Sequence, residues 1–374
     1  MNPSLLIVSF SHIPSDPRVL KQVELFKRRY HVTTCGLGEG PEGVDEHIAL
    51  PADAQAWPAD RVSLILRRYE HVYGAIPAVA AAREALRGRR FDMILANDLN
   101  TVPLAVELQP RLGVHADLHE YAPSEKETVR TWRWFVAPYQ RWLCRTYFPS
   151  LASGTTVSQG IADRYSAEFG MPFGVVTNAA PFQEWSPGAT GPGIRLIHSG
   201  AAQRYRRLEL MIDAMKEAPE GVTLDLVLMP NELDYLEELR ERGSSVPGVS
   251  FRDPVPHAEI VSDLRHYDLA LVFLPPSTFN LKQSLPNKLF EAVQARLGVI
   301  VGPSPAMQTL VEQHGFGTVI DDFEPETLAS AIKSLTPETV DGWKQAAHRA
   351  AAPLSAEEQV KGWESALAAM AARA

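Results

Sequence analysis

The feature that most constrains this chain is an alternation of short, wholly apolar runs with amphipathic helical segments, plainest at residues 269–301. There LALVFL (269–274) and VIV (299–301) read as buried strands, and SLPNKLFEA (284–292) lies between them as loop and helix. Runs that are apolar on both faces belong in a parallel sheet covered by helices, so the unit predicts a doubly wound α/β fold. Pro286 suits the first helical turn, where an amide has no partner to lose. At helical spacing Asn287, Lys288 and Glu291 share one face, while Leu289, Phe290, Val293 and Leu297 form the buried side. A cation and a carboxylate beside a helix N-terminus admit two readings. In one, a phosphate lies against Lys288 and the loop while Glu291 accepts from hydroxyls, which means a nucleotide or a sugar nucleotide. In the other, the two side chains are a solvated i, i+3 pair.

The same rhythm runs through the whole sequence. In the first half, strands are expected at 5–10, 31–35, 91–98, 113–120, 154–157 and 175–178, with helices at 18–29, 61–73, 77–86, 128–147 and 160–169. The loop 36–43 is rich in glycine but holds no GxGxxG, so it reads as a loop and not as a dinucleotide cradle. Ligands of open α/β sheets bind beyond the carboxyl ends of the strands, which places Asp98, His119 and Glu120 as site residues; a structural role for a lone histidine stays open. PFQEWSPGATGPG (181–193) is dense in proline and glycine and reads as a linker. Strands at 195–198, 223–228 and 249–251 then restart the pattern, with helices at 208–216, 232–242 and 257–265. The expected domains are 1–183, a linker at 184–193, a second domain at 194–354, and a tail helix at 355–374 that packs back on the body through Val360, Trp363 and Leu367.

Composition excludes several classes. A net charge of -9, most of it in the second half, leaves no basic footprint for nucleic acid. Two cysteines, Cys35 and Cys144, make neither a disulfide framework nor a metal set and fit a reducing cytosol. The first apolar run is too short for a signal-peptide core, and no run approaches the roughly 18 apolar residues of a membrane span. The segment 128–147 carries Trp132, Trp134, Phe135 and Trp142 with Arg130, Arg133, Arg141 and Arg145. Either it touches lipid headgroups at the inner membrane face, or its aromatics pack inside and its arginines are solvated.

A second cationic element is the loop GAAQRYRR (200–207), at the first strand-to-helix turn of the second half, where α/β folds receive phosphates. A guanidinium among Arg204, Arg206 and Arg207 could fork onto a diphosphate opposite Lys288, with Glu291 on ribose hydroxyls.

Six stretches together resemble the retaining glycosyltransferases of the GT-B fold, in particular family 4, over nearly the whole chain: DPRV (16–19), DLHE (117–120), VSQGIADRY (157–165), VVTNAAPF (175–182), HSGA (198–201) and LPNKLFEA (285–292). The resemblance implies two Rossmann-like domains facing each other across a cleft. It implies that Arg206 and Lys288 bind the donor diphosphate and Glu291 the ribose, and that Gly200 lets the backbone approach the phosphate. Gln283, Ser284 and Leu285 would face the donor sugar, main chain around Pro254 and Val255 would hold the base, and His119 matches the family histidine near the donor sugar. Two positions depart from the family pattern: Gln283 stands where a glutamate is common, and Arg207 where a glycine is common.

The implied reaction moves a sugar from a nucleoside diphosphate to an acceptor hydroxyl with retention. Cationic side chains and a helix N-terminus would stabilise the leaving diphosphate, and no DxD pair sits where a divalent ion would be needed, so no metal or other cofactor is expected. The rivals are an epimerase or inverting transferase with His119 as base, a sugar-nucleotide binding protein that has lost catalysis, and, more distantly, an NAD-dependent oxidoreductase.

Overall fold

The computed structural model describes residues 2–372 and divides into two compact units. The first holds the chain up to residue 177, the short segment 278–280 and the tail from residue 360; the second holds 178–277 and 281–359.

The first unit is wound on seven parallel strands: β1 (Ser4–His12), β2 (His31–Leu37), β3 (Glu46–Leu50), β4 (Met93–Asn97), β5 (Gly113–Leu118), β6 (Ser153–Thr156) and β7 (Gly174–Val175). Their order is β3-β2-β1-β4-β5-β6-β7, so the winding reverses between β1 and β4. β4 is buried along its whole length and β5 along all but its first residue, which is why both read as continuous apolar runs. β3 was not anticipated, because Glu46 and His47 break its apolar pattern; as an edge strand it needs only one buried flank.

Helical boundaries move for local reasons. The helix expected at 61–73 is two, Arg61–Ile65 and Tyr69–Gly74, separated by Arg67 at φ 55°, a backbone state no helix continues through. In the expected 128–147 helix, Trp132–Val136 is a π turn ahead of an α-helix Ala137–Tyr147. Pro138 has no amide to give to an upstream carbonyl, and the turn before it widens.

The second unit repeats the plan with β8 (Ile194–Ala201), β9 (Val222–Met229), β10 (Val249–Arg252), β11 (Leu269–Val272), β12 (Gly298–Val301) and β13 (Gly317–Val319) in the order β10-β9-β8-β11-β12-β13. Its winding reverses between β8 and β11.

The proline- and glycine-rich stretch expected as a linker at 184–193 belongs to this second unit, and the chain changes units earlier, between residues 177 and 178. Thr190 donates from its amide and hydroxyl to Asp341 at 2.8 and 2.7 Å, the Gln183 amide reaches Gln294 Oε1 at 3.2 Å, and the Gln183 carbonyl accepts from Arg296. Irregular composition therefore does not make this stretch free, because its polar groups find partners on the helices below it.

The expected single tail helix is broken where the chain changes units again. Ala356–Gln359 lies in the second unit and Lys361–Ala371 in the first. There Trp363, Leu367 and Met370 join Leu5, Ile7, Val19, Phe26 and Leu95 in one apolar cluster, and the Arg18 guanidinium lies 4.7 Å over the Trp363 ring.

Candidate functional site

At the β8/β11 reversal the second unit opens a cavity of about 450 Å³. Such reversals leave a crevice because successive helices depart to opposite faces of the sheet. One part of the wall is apolar: Ile197, Val227, Pro254, Val255, Ile260 and Leu274. The other is polar, with Ser199 and Gly200 from the end of β8, Arg206 from the loop that follows, Ser284, and Asn287, Lys288 and Glu291 from the helix Asn287–Gln294. Pro286 precedes that helix in extended conformation (ψ 146°), and no side chain caps its first amides. The Leu289 amide donates to the Pro286 carbonyl at 2.9 Å, which leaves the amides of Asn287 and Lys288 to meet an anion.

Lys288 donates from Nζ to the carbonyl of Ser199, and its methylene stem is part-buried in the cavity wall. Burial and the neighbouring Arg206 guanidinium push its pKa down to about 7, against the opposing pull of Glu291. Gly200 leaves the space between these cations open: a Cβ there would stand 2.6 Å from Lys288 Nζ and 3.3 Å from Arg206 Nη1. Beneath them His198 is buried. Its Nδ1 lies 2.8 Å from the Leu271 carbonyl and must donate to it, and among the described residues its buried Nε2 has no partner. Burial, then Lys288 and Arg206, hold its pKa well below the usual histidine value, so the ring is a neutral acceptor beside two cations. An arrangement of two cations, uncapped amides and a missing Cβ is a cradle for an anion.

The structure brings Gly200, Arg206, Pro254, Val255, Ser284, Lys288 and Glu291 to this one cavity. Gln283 and Leu285, expected to face a donor sugar, do not line it; Leu285 packs against the core around Leu289 and Phe290 instead. The three arginines of the cationic loop separate by role. Arg204 forks onto Glu238 at 2.6 and 2.8 Å over the Tyr235 ring, Arg206 alone reaches the cavity, and Arg207 is exposed in the left-handed conformation (φ 52°). Tyr205 and Asn287 also line the cavity. Their signal was present in the cationic loop and in the helix start, but neither residue type is specific for an anion.

His119 lies in the first unit, in a separate pocket of about 250 Å³ with Trp57, Asp98, Glu120, Glu125 and Gln140. Asp98 and His119 do stand just past the carboxyl ends of β4 and β5. The His119 amide donates to Asp98 Oδ1 at 3.2 Å, its Nδ1 is 3.4 Å from Asp98 Oδ2, and its buried Nε2 is 3.8 Å from Asp117 Oδ2. Asp98 itself holds an unusual backbone conformation, φ 64° and ψ 158°. Trp57, Glu125 and Gln140 went unnoticed in the sequence, since they come from a loop and a helix with no shared motif.

Among the described residues no group of three or more His, Cys, Asp or Glu side chains is placed to hold a metal ion, and no helix is long and apolar enough to cross a membrane. Both cysteines are buried and unpaired.

Residues 193–337, nearly all of the second unit's sheet and the cavity wall, match the family described as Glycosyl transferases group 1. No curated protein matches the chain. Among solved structures, sucrose-phosphate synthase from Thermosynechococcus elongatus superposes with a TM-score of 0.75 at 13% identity, over 100% of both chains. Anabaena HepE in complex with UDP and glucose gives 0.71 at 15% identity, over 98% of this chain and 100% of that one. The α,α-trehalose 6-phosphate synthase of Burkholderia multivorans gives 0.68 at 12% identity, over 100% of each. These likenesses share the GT-B fold with this chain.

Proposed function

From a chain with the GT-B glycosyltransferase fold and a group 1 glycosyl transferase region, we propose a retaining enzyme that needs no metal. It moves a sugar from a nucleoside diphosphate to an acceptor hydroxyl. One observation carries this reading: Lys288 and Arg206 converge on the open space above Gly200, at the uncapped start of the Asn287–Gln294 helix. The diphosphate occupies that space, Glu291 accepts from ribose hydroxyls, and Pro254 and Val255 flank the base. Ser284 is left to meet the sugar.

In the transfer, the bond from the anomeric carbon to the β-phosphate oxygen breaks and its electron pair stays on the phosphate. Lys288, Arg206 and the helix amides stabilise that charge as it develops, a task otherwise given to a divalent ion. The acceptor oxygen bonds to the anomeric carbon on the face the diphosphate leaves, and its proton passes to the departing phosphate. No side chain is needed as base.

A second reading, inversion, rests on His119 held near Asp98, as a base oriented by a carboxylate would be. Against it, His119 Nε2 is buried beside Asp117, so the nitrogen opposite Asp98 is turned away from a substrate. The anomeric configuration of the product by proton NMR separates the two.

UDP is the first nucleotide to test, because UDP occupies the HepE structures. At a hundredfold over its dissociation constant it should stabilise the protein by about 2.7 kcal/mol. The reading fails if none of UDP, GDP, ADP, TDP or CMP raises the melting temperature. The buried, unpaired cysteines agree with a cytoplasmic enzyme. Peripheral lipid contact would use the exposed Trp134 and Val129, while Trp132 is buried. Cosedimentation with anionic vesicles tests it.

A further inference from the structure

The pocket of the first unit has an unusual balance of hydrogen-bonding groups. Asp98, Glu120 and Glu125 all line it, and no lysine or arginine does. The Glu125 carboxylate is part-buried and, among the described residues, takes no side-chain hydrogen bond or ion pair. Gln140, only 3% exposed, also lines the pocket, and among the described residues its buried Oε1 has no partner. Trp57 supplies an aromatic wall, 42% exposed. His119 lines the pocket too, its Nδ1 3.4 Å from Asp98 Oδ2, so three carboxylates face one imidazole and the balance favours an occupant that brings donors.

The charges narrow the occupant further. Burial, then Glu120, push the Glu125 pKa up to about 7, with Lys126 opposing and Asp98 adding to the rise. Burial and Asp98 likewise raise Glu120, although Asn280 Nδ2 donates to its Oε2 at 3.2 Å. Lys126 lies outside the pocket wall and is engaged by the Trp57 and Trp132 rings, 5.0 and 5.3 Å from their centres. Carboxylates crowded together this way repel a phosphorylated ligand and gain from a cation, and an indole face favours a cation as well.

We propose that this pocket binds the acceptor through a protonated amine, so that the acceptor is an amino-bearing cyclic polyol such as an amino sugar or aminocyclitol. This rests on the transferase reading. The ammonium is a handle seated between Glu125 and Glu120, and a hydroxyl of the same molecule is the nucleophile. Phosphorylated acceptors are excluded by the same carboxylates.

The test is calorimetric titration of glucosamine, glucose and glucose 6-phosphate into the full chain, wild type and Glu125→Gln, with UDP titrated into the same samples. Glucosamine should bind the wild type at least about tenfold more tightly than glucose, with glucose 6-phosphate weakest. In Glu125→Gln the preference for the amine should fall to about twofold or less. Glucose or glucose 6-phosphate binding as well as glucosamine, no binding by any of the three, or a preference unchanged in the variant would each overturn the proposal. UDP binding reads the other unit's cavity. Its loss in the wild type would remove the transferase reading, whereas UDP binding without an amine preference would remove only this one.

Discussion

Arg18 grips Asp117 with both arms of its guanidinium, Nε at 2.6 Å from Oδ2 and Nη2 at 2.7 Å from Oδ1, in a pair closed to water. Asp117 also accepts from Gln22 and Thr155, and Arg18 Nη1 reaches the Val176 carbonyl at 2.9 Å. The network ties the start of the Pro17–Phe26 helix to β5, two residues before His119. Removing one partner strands a buried charge, so Arg18→Met should cost about 3–5 kcal/mol in urea unfolding at neutral pH.

The same pair sets an acid limit. Burial opposes ionisation of Asp117, but Arg18 and its hydrogen bonds win and hold the carboxyl at about 2. A folded pKa below the unfolded value means that the contribution is complete above the unfolded pKa and is lost as pH falls through the folded one. This group should therefore add about 2 kcal/mol above pH ~4, fading toward pH ~2. Asp117→Asn should lower stability at pH 7 and flatten the loss between those limits. An unchanged acid profile in that variant would refute the assignment.

Lys288 is shifted in the same direction, but there the neutral form is favoured instead of the charged one. Its folded pKa of about 7 lies below the unfolded value, so the unfolded chain binds the extra proton and the stability of the empty protein should rise with pH from about 7 to about 10.5. A diphosphate restores the charge, so UDP binding at pH 8 should take up close to one proton, read from calorimetry in two buffers of different ionisation heat. Lys288→Met should abolish the uptake, and the loss of one charge-stabilising donor should lower kcat by about 10²–10³.

The parallel-sheet rhythm was legible because buried strands such as β4 and β11 have no polar face to confuse them. Glu46–Leu50, an edge strand, escaped because half of it is solvated. The candidate cavity was legible where its wall uses charged residues at a helix start and a glycine at a strand end: Lys288, Glu291, Gly200 and Arg206. It was illegible where a role depends on which way a side chain turns. Nothing in GAAQRYRR says that Arg204 will spend its charge on Glu238, and nothing in SLPNKLFEA says that Leu285 will pack against the core beside Ser284. The motif residues Asp16 and Asp117 prove structural. Asp16 caps a helix by accepting from the Arg18 and Val19 amides, and Asp117 holds Arg18. Trp57 and Gln140 meet only through tertiary packing, which no local pattern announces.

Gly200→Ala isolates the cradle from its charges. The new methyl would meet Lys288 Nζ at 2.6 Å, and that flexible ammonium can swing away, but φ 159° is a backbone conformation that residues with a Cβ rarely adopt, so folding should survive at a cost of about 1–3 kcal/mol. The space for the phosphate oxygens does not survive. UDP affinity, read at a temperature where the variant is fully folded, should fall at least about tenfold. Unchanged UDP binding would mean that the diphosphate lies elsewhere.

Arg206 and Arg207 are adjacent, yet their substitutions should diverge. Arg206 lines the cavity and faces the same open space as Lys288, so Arg206→Ala should weaken UDP binding and lower kcat by about 10²-fold or more. Arg207 is exposed, lies outside the cavity wall and holds φ 52°, ψ 48°, a conformation that costs a residue with a Cβ about 1–2 kcal/mol and glycine little. Arg207→Gly should thus stabilise the protein by up to about 1 kcal/mol, after the entropy glycine loses on folding, and leave UDP affinity within about twofold. Glycine at 207 fits this turn without strain, and that outcome would make the arginine there a tolerated departure and not a donor contact. A loss of UDP binding in Arg207→Gly equal to that in Arg206→Ala would reverse that conclusion and make both guanidiniums part of the diphosphate site.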